Sequence, residues 1–111
     1  MSVPEPGRPF RLSRVAAGHL LALTGRLDVR SAADVRLALA EAVEDGLGEL
    51  VLDLSALEAV DATGLGVLVG AHRHAGRAGR RLVLLHVPER VGRLLRITRL
   101  DRVLHQERRT A

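Results

Sequence analysis

The chain has 111 residues, enough for one domain with a modest core. It contains no cysteine, which excludes disulfides, thiolate metal sites and thiol catalysis. All 17 basic residues are arginine against 13 acids, for a net charge of +4, but Phe10 is the sole aromatic residue; with no stacking platform, a protein partner is favoured over direct nucleic-acid binding.

The apolar stretches fall far short of the roughly 20 residues of a membrane span. No charged leader precedes an apolar signal core, so a cytoplasmic chain without membrane insertion is expected.

Residues 1–9 hold three of the four prolines and a glycine, and read as a flexible lead-in to a first strand from Phe10 to Val15. A tight turn near Ala17-Gly18 returns the chain as a second strand, Leu20 to Leu23. Ser31 and Asp34 have the spacing of a capping box with a shorter acid, and Val35, Leu39, Ala42 and Val43 recur at helical spacing. A helix from about Ala32 to Asp45 is expected, ended by Gly46-Leu47-Gly48.

The apolar run from Glu49 to Leu57 contains Leu50-Val51-Leu52-Asp53-Leu54, which suits a central strand buried on both faces. A second helix is expected from Gly64 to Ala78, then a glycine and arginine turn over residues 76–81 and a buried strand from Leu82 to Val87. Pro88 suits the first turn of a third helix. Val91, Leu94, Leu95 and Thr98 line one side of that helix, and Arg90, Arg93 and Arg96 the other. A short strand from Arg102 to Gln106 and a polar tail, 107–111, complete the chain, with no internal repeat.

Asp61-Ala62-Thr63-Gly64-Leu65-Gly66 forms the corner between the central strand region and the second helix. Both Asp61 and Thr63 are able to cap the free N–H groups of the first turn, where a phosphate would also meet oriented donors and the positive end of the helix dipole. A hydroxyl there is a candidate phosphorylation switch. Along the helix, Leu65, Leu68, Val69, His72 and Ala75 fall on one side, and Gly66, Gly70, Arg73 and Arg77 on the other. Each interior glycine costs roughly 0.8–1 kcal/mol against alanine. A partner that approaches closely, close packing within the fold, or tolerance at a helix end would each account for Gly66 and Gly70.

The order strand, D-x-[ST]-G-L-G corner, amphipathic helix, strand, with Thr24-Gly25-Arg26-Leu27-Asp28 upstream, resembles the STAS domain of bacterial anti-sigma factor antagonists from about Phe10 to Gln106. The resemblance implies a single α/β domain over residues 10–106, with a mixed sheet of four or five strands and three to four helices mainly on one side. It implies binding to an anti-sigma factor of the serine-kinase type, with a histidine-kinase-like ATPase fold, and release of a sigma factor. Phosphorylation by that kinase abolishes binding in the family, and a phosphatase restores it.

The usual phosphorylated serine directly follows the aspartate, and Ala62 stands there; Thr63, the next residue, is the remaining candidate. Arg26 replaces the more frequent glutamate. By resemblance, Asp28 shapes the partner-binding or nucleotide-proximal surface beside the corner, and Asp61 caps the helix and orients a switch hydroxyl. The expected partner surface is Asp28, Asp61, Ala62, Thr63, Gly64, Leu65, Gly66, Gly70 and Arg73, on a monomer or weak dimer. STAS-like domains also serve as accessory or scaffold subunits of transporters and sensory complexes, which is the alternative.

His72 and His74 point in different directions on a helix, His86 lies in a strand without an acidic partner, and no metal or other cofactor is expected. Asp28 and Asp61 are general acid or base candidates only in isolation. No phosphate loop, dinucleotide fingerprint or nucleophile elbow accompanies them, so a non-enzymatic protein is expected. Arg73, Arg77, Arg80 and Arg81 read as a solvated basic face, with Arg73 a candidate for steering toward an acidic partner.

Overall fold

Strand alternation places the core. Leu21, Leu23, Leu50, Leu52, Leu82 and Leu84 point to one face of the sheet and are buried, while Val51, Val83 and Leu85 form a smaller cluster with Leu20 on the other. In the computed structural model, residues 10–16 and 19–108 are described, with side chains from residue 19 onward. The expected lead-in, the turn at Ala17-Gly18 and residues 109–111 lie outside the described residues.

β1 (Phe10–Ala16) pairs antiparallel with β2 (Leu20–Leu27). β2 runs parallel to β3 (Glu49–Asp53) in its first half and to β4 (Leu57–Val60) in its second. β3 is parallel to β5 (Arg81–Leu85), and β5 to β6 (His105–Glu107). The sheet is therefore mixed, in the order β1-β2-β3-β5-β6, with β4 paired to β2. The helices are α1 (Ala32–Glu44), α2 (Ala62–Arg77) and α3 (Glu89–Ile97), followed by a 3-10 turn, Leu100–Arg102. Val35 and Leu39 of α1, Leu68 of α2 and Leu95 of α3 share one core with the leucine face of the sheet, so all three helices lie on that face. Fully burying each such side chain is worth roughly 1.5–3 kcal/mol.

The five expected strands are present, and β4 adds a sixth. The apolar run after Glu49 does not continue as one strand, because Asp53 Oδ1 accepts from the N–H of Ser55 (2.9 Å) and Leu57 N–H donates to Leu54 O (3.0 Å). That turn offsets β4, which then supplies the partner that lets β2 extend to Leu27. β5 stops at Leu85 because His86 turns into the left-handed region at φ 54°. The last strand begins at His105 rather than Arg102: Arg99, at φ 62°, opens the 3-10 turn, and Glu107 belongs to β6 instead of the tail.

Two expected caps take other forms. Pro88 is the N-cap of α3 and not its first helical residue, with ψ of 147°. Ser31 is the N-cap of α1, but its hydroxyl donates to Arg26 O at 2.9 Å and accepts from Asp28 N–H at 3.0 Å, so no capping box forms with Asp34.

Arg80 departs most from expectation. It is buried, not part of a solvated face: Nη1 donates to Ala42 O (2.9 Å) and Val43 O (3.0 Å), Nε to Gly48 O (3.0 Å), and Nη2 to Glu49 O (3.1 Å). The guanidinium thus occupies the C-terminal end of α1, where carbonyls lack helical partners and the dipole is negative.

Candidate functional site

Asp61 joins two loops. Its backbone is extended at φ −106° and ψ −175°, and as N-cap of α2 its Oδ1 accepts from Gly64 N–H at 2.8 Å. The other carboxylate oxygen, Oδ2, accepts from Val29 N–H at 3.2 Å, in the loop between β2 and α1. Asp61 N–H donates to Leu27 O (3.3 Å) and its carbonyl accepts from Leu65 N–H (2.9 Å), so the corner is fixed from both sides.

The neighbouring loop is organised by Asp28. Its Oδ1 accepts from Arg30 N–H at 3.0 Å and its carbonyl from Ala32 N–H at 2.9 Å, while Ser31 lies fully buried beneath it. Asp28 and Asp61 therefore lie in adjoining loops, each carboxylate engaged by backbone donors. Asp61 thus caps α2, and Asp28 holds the turn that leads into α1.

Gly64 shows why the corner needs its glycine. A Cβ there would run into Leu27 O and come within 2.7 Å of Val60 Cγ2. Gly64 and Leu65 are both buried, so these two expected partner residues build the corner from inside. The exposed residues of α2 are Ala62, Thr63, Gly66, Gly70, Arg73, Gly76 and Arg77. Among the described residues, a Cβ on Gly66 or Gly70 would have no neighbour within 4 Å outside its own helix, so close packing against them is not the reason for these glycines. Thr63 does not share the capping role of Asp61; its hydroxyl has no hydrogen-bond partner among the described residues.

His72 is half-buried at the core edge, and His74 lies 3.8 Å from Glu44 Oε1, between α2 and α1. Among the described residues no group of three or more His, Asp or Glu side chains is placed to hold a metal ion.

Two features were not foreseen. Val29 is 70% exposed although its N–H is held by Asp61, so it projects an apolar side chain beside the corner. On the opposite part of the sheet, Arg81 Nη2 lies 2.8 Å from His105 Nδ1, and His105 Nε2 lies 3.2 Å from Glu107 Oε1. A guanidinium only donates, so Nδ1 is the acceptor and the proton on Nε2 faces Glu107. No short-range pattern marks the Val29–Asp61 or the Arg81–His105 contact, since each joins segments distant in sequence.

A mixed sheet covered by helices on one face, with an aspartate-capped strand-to-helix corner backed by a second aspartate loop, defines a STAS-type binding domain. The chain belongs to the STAS family: the family model described as "Mlab, STAS domain" matches residues 10–106. It is 32% identical over 81 residues to the anti-sigma-B factor antagonist of Staphylococcus aureus, spanning 73% of this chain and 75% of that protein. An anti-sigma factor antagonist from Mycobacterium paratuberculosis has the same fold, with a TM-score of 0.74 at 22% identity, over 94% of this chain and 89% of the other. SpoIIAA also has this fold. Its unphosphorylated form superposes with a TM-score of 0.72 at 19% identity, over 91% and 88% of the two chains. The phosphorylated form from Bacillus gives 0.67 at 18%, over 91% of each.

Proposed function

We propose that this protein is a cytoplasmic anti-sigma factor antagonist. It binds a serine-kinase-type anti-sigma factor with an ATPase fold, releases a sigma factor, and so regulates transcription by partner switching, without catalysis of its own. The observation that carries this reading is the outward face of α2: two glycines exposed in a helix interior, with open space where each Cβ would stand. Their cost to the helix has no return among the described residues, whereas a partner helix or loop approaching the backbone would use the room. Asp28 and Asp61 shape the platform, Ala62, Thr63, Gly66 and Gly70 are its contact surface, and Arg73 at its far end steers an acidic partner. Gly64 and Leu65 support it from below.

Control by phosphate takes one of two forms. Thr63 is exposed at the first turn of α2 with a free hydroxyl, and a phosphate there would place a dianion in the contact surface next to Asp61. Otherwise Ala62 makes the protein a constitutive antagonist that no phosphatase needs to restore.

The test is to titrate the protein with the purified anti-sigma factor of its own cell, then add ATP and examine the Thr63 peptide by mass spectrometry. Tight binding with phosphate on Thr63 selects the switch, and tight binding without phosphate selects constitutive antagonism. Absence of binding, with capture of a transporter subunit instead, would replace this reading by an accessory role.

A further inference from the structure

The arginines that remain after Arg80 is assigned to the core are not evenly spread. α3 and the turn after it carry Arg90, Arg93, Arg96, Arg99 and Arg102, all exposed, against two carboxylates, Glu89 and Asp101. Glu89 Oε1 lies 3.9 Å from Arg93 Nη2, which leaves the surface strongly cationic. None of these residues belongs to the α2 face or to the loop between β2 and α1.

The backbone that presents them is fixed. Val91 and Leu95 bury the opposite side of α3 in the core. Arg99 N–H donates to Arg96 O (3.1 Å) and Arg102 N–H to Arg99 O (3.3 Å), so the last three arginines stand one tight turn apart. Arg99 also occupies the left-handed position just past the helix end, at φ 62°, where glycine is the least strained residue. Within this cationic surface Ile97 is 71% exposed, one turn from Arg93 and adjacent to Arg96, and Val103 is 45% exposed.

We propose that the outward face of α3 and the turn that follows it docks on anionic membrane lipid, with arginines on the headgroup phosphates and Ile97 at the acyl boundary. Charge complementarity favours a phosphate-bearing surface. An apolar side chain amid the cations favours lipid over nucleic acid, because a headgroup layer has an apolar interior for Ile97 to enter and a duplex backbone has none. Five arginines and one isoleucine give reversible, salt-sensitive attachment and not insertion. The protein would thereby be concentrated at the inner membrane surface.

The experiment is flotation of the full chain with phosphatidylcholine vesicles containing about one third phosphatidylglycerol, against pure phosphatidylcholine vesicles, at about 0.1 M and 0.5 M salt. The chain should float with the anionic vesicles at low salt and detach at high salt. Arg90→Gln/Arg93→Gln/Arg96→Gln should lower partitioning about a hundredfold, at roughly a few-fold per charge. Ile97→Ser should lower it several-fold without changing the charge. Arg36→Gln/Arg81→Gln/Arg108→Gln, an equal change of charge elsewhere, should have a much smaller effect, with circular dichroism confirming that every variant is folded. No flotation at low salt would overturn the proposal. So would equal losses in both triple variants, or preferential retention on duplex DNA over vesicles at the same salt.

Discussion

The carboxylate of Asp61 ties Val29 to Gly64, accepting from Val29 N–H at 3.2 Å through one oxygen and from Gly64 N–H at 2.8 Å through the other. Two loops 32 residues apart are thereby held as one platform. Asp61→Ala should cost about 1–3 kcal/mol, from a lost cap and a lost loop contact. Asp61→Asn should cost less, because its oxygen still serves Gly64 while its amide group opposes the Val29 N–H. Urea unfolding of the three proteins would check the order.

Glycines in one helix should respond in opposite directions. Gly64→Ala forces a Cβ against Leu27 O and Val60 Cγ2, and should destabilise by about 2–3 kcal/mol through overpacking. Gly66→Ala and Gly70→Ala meet no atom of the described residues outside their own helix and should each stabilise by roughly 0.5–1 kcal/mol. If the outward face is the partner surface, these same two variants weaken binding to the anti-sigma factor. Stability raised with affinity lowered, read by thermal melting and titration calorimetry, separates an interface role from tolerance of glycine, which would leave affinity unchanged.

Arg80 should be the least replaceable of the cations whose side chains are described. Arg80→Ala leaves the carbonyls of Ala42, Val43, Gly48 and Glu49 without the guanidinium, and a loss of about 3 kcal/mol is expected. Arg80→Lys should recover only part of it, since an ammonium cannot span acceptors arranged for a planar fork. Denaturant midpoints of both variants would show this, with the exposed Arg77→Ala as a near-neutral reference within about 0.5 kcal/mol.

Restoring a hydroxyl at the position of Ala62 should create a phosphoacceptor if the partner is a serine kinase. Ala62→Ser, incubated with the anti-sigma factor and ATP, should gain phosphate on that residue and lose affinity by at least tenfold. Thr63→Ala should leave that phosphorylation intact. No uptake of phosphate by Ala62→Ser would count against a kinase partner.

The elements were legible in the chain because each is written locally: a short, nearly all-aliphatic run from Leu50 to Leu54, helical spacing from Val35 to Val43, and glycines where α1 and α2 end. The corner was legible for the same reason, since an aspartate three residues ahead of Gly64 has the spacing of an N-cap. Short-range pattern also ordered the α2 faces, leaving Gly66, Gly70 and Arg73 outward.

Tertiary structure alone decided what depends on distant partners. It split the run after Glu49 into β3 and β4, because β2 had a second half to pair. It buried Arg80, whose neighbours in sequence are those of a solvated turn, because the end of α1 and the entry to β3 offered carbonyls 31 to 38 residues away. It joined Asp61 to Val29, and it showed open space at Gly66 and Gly70 that spacing could not distinguish from close packing. A one-dimensional pattern records which way a side chain faces, but the atoms it meets are set only when separate segments are brought together.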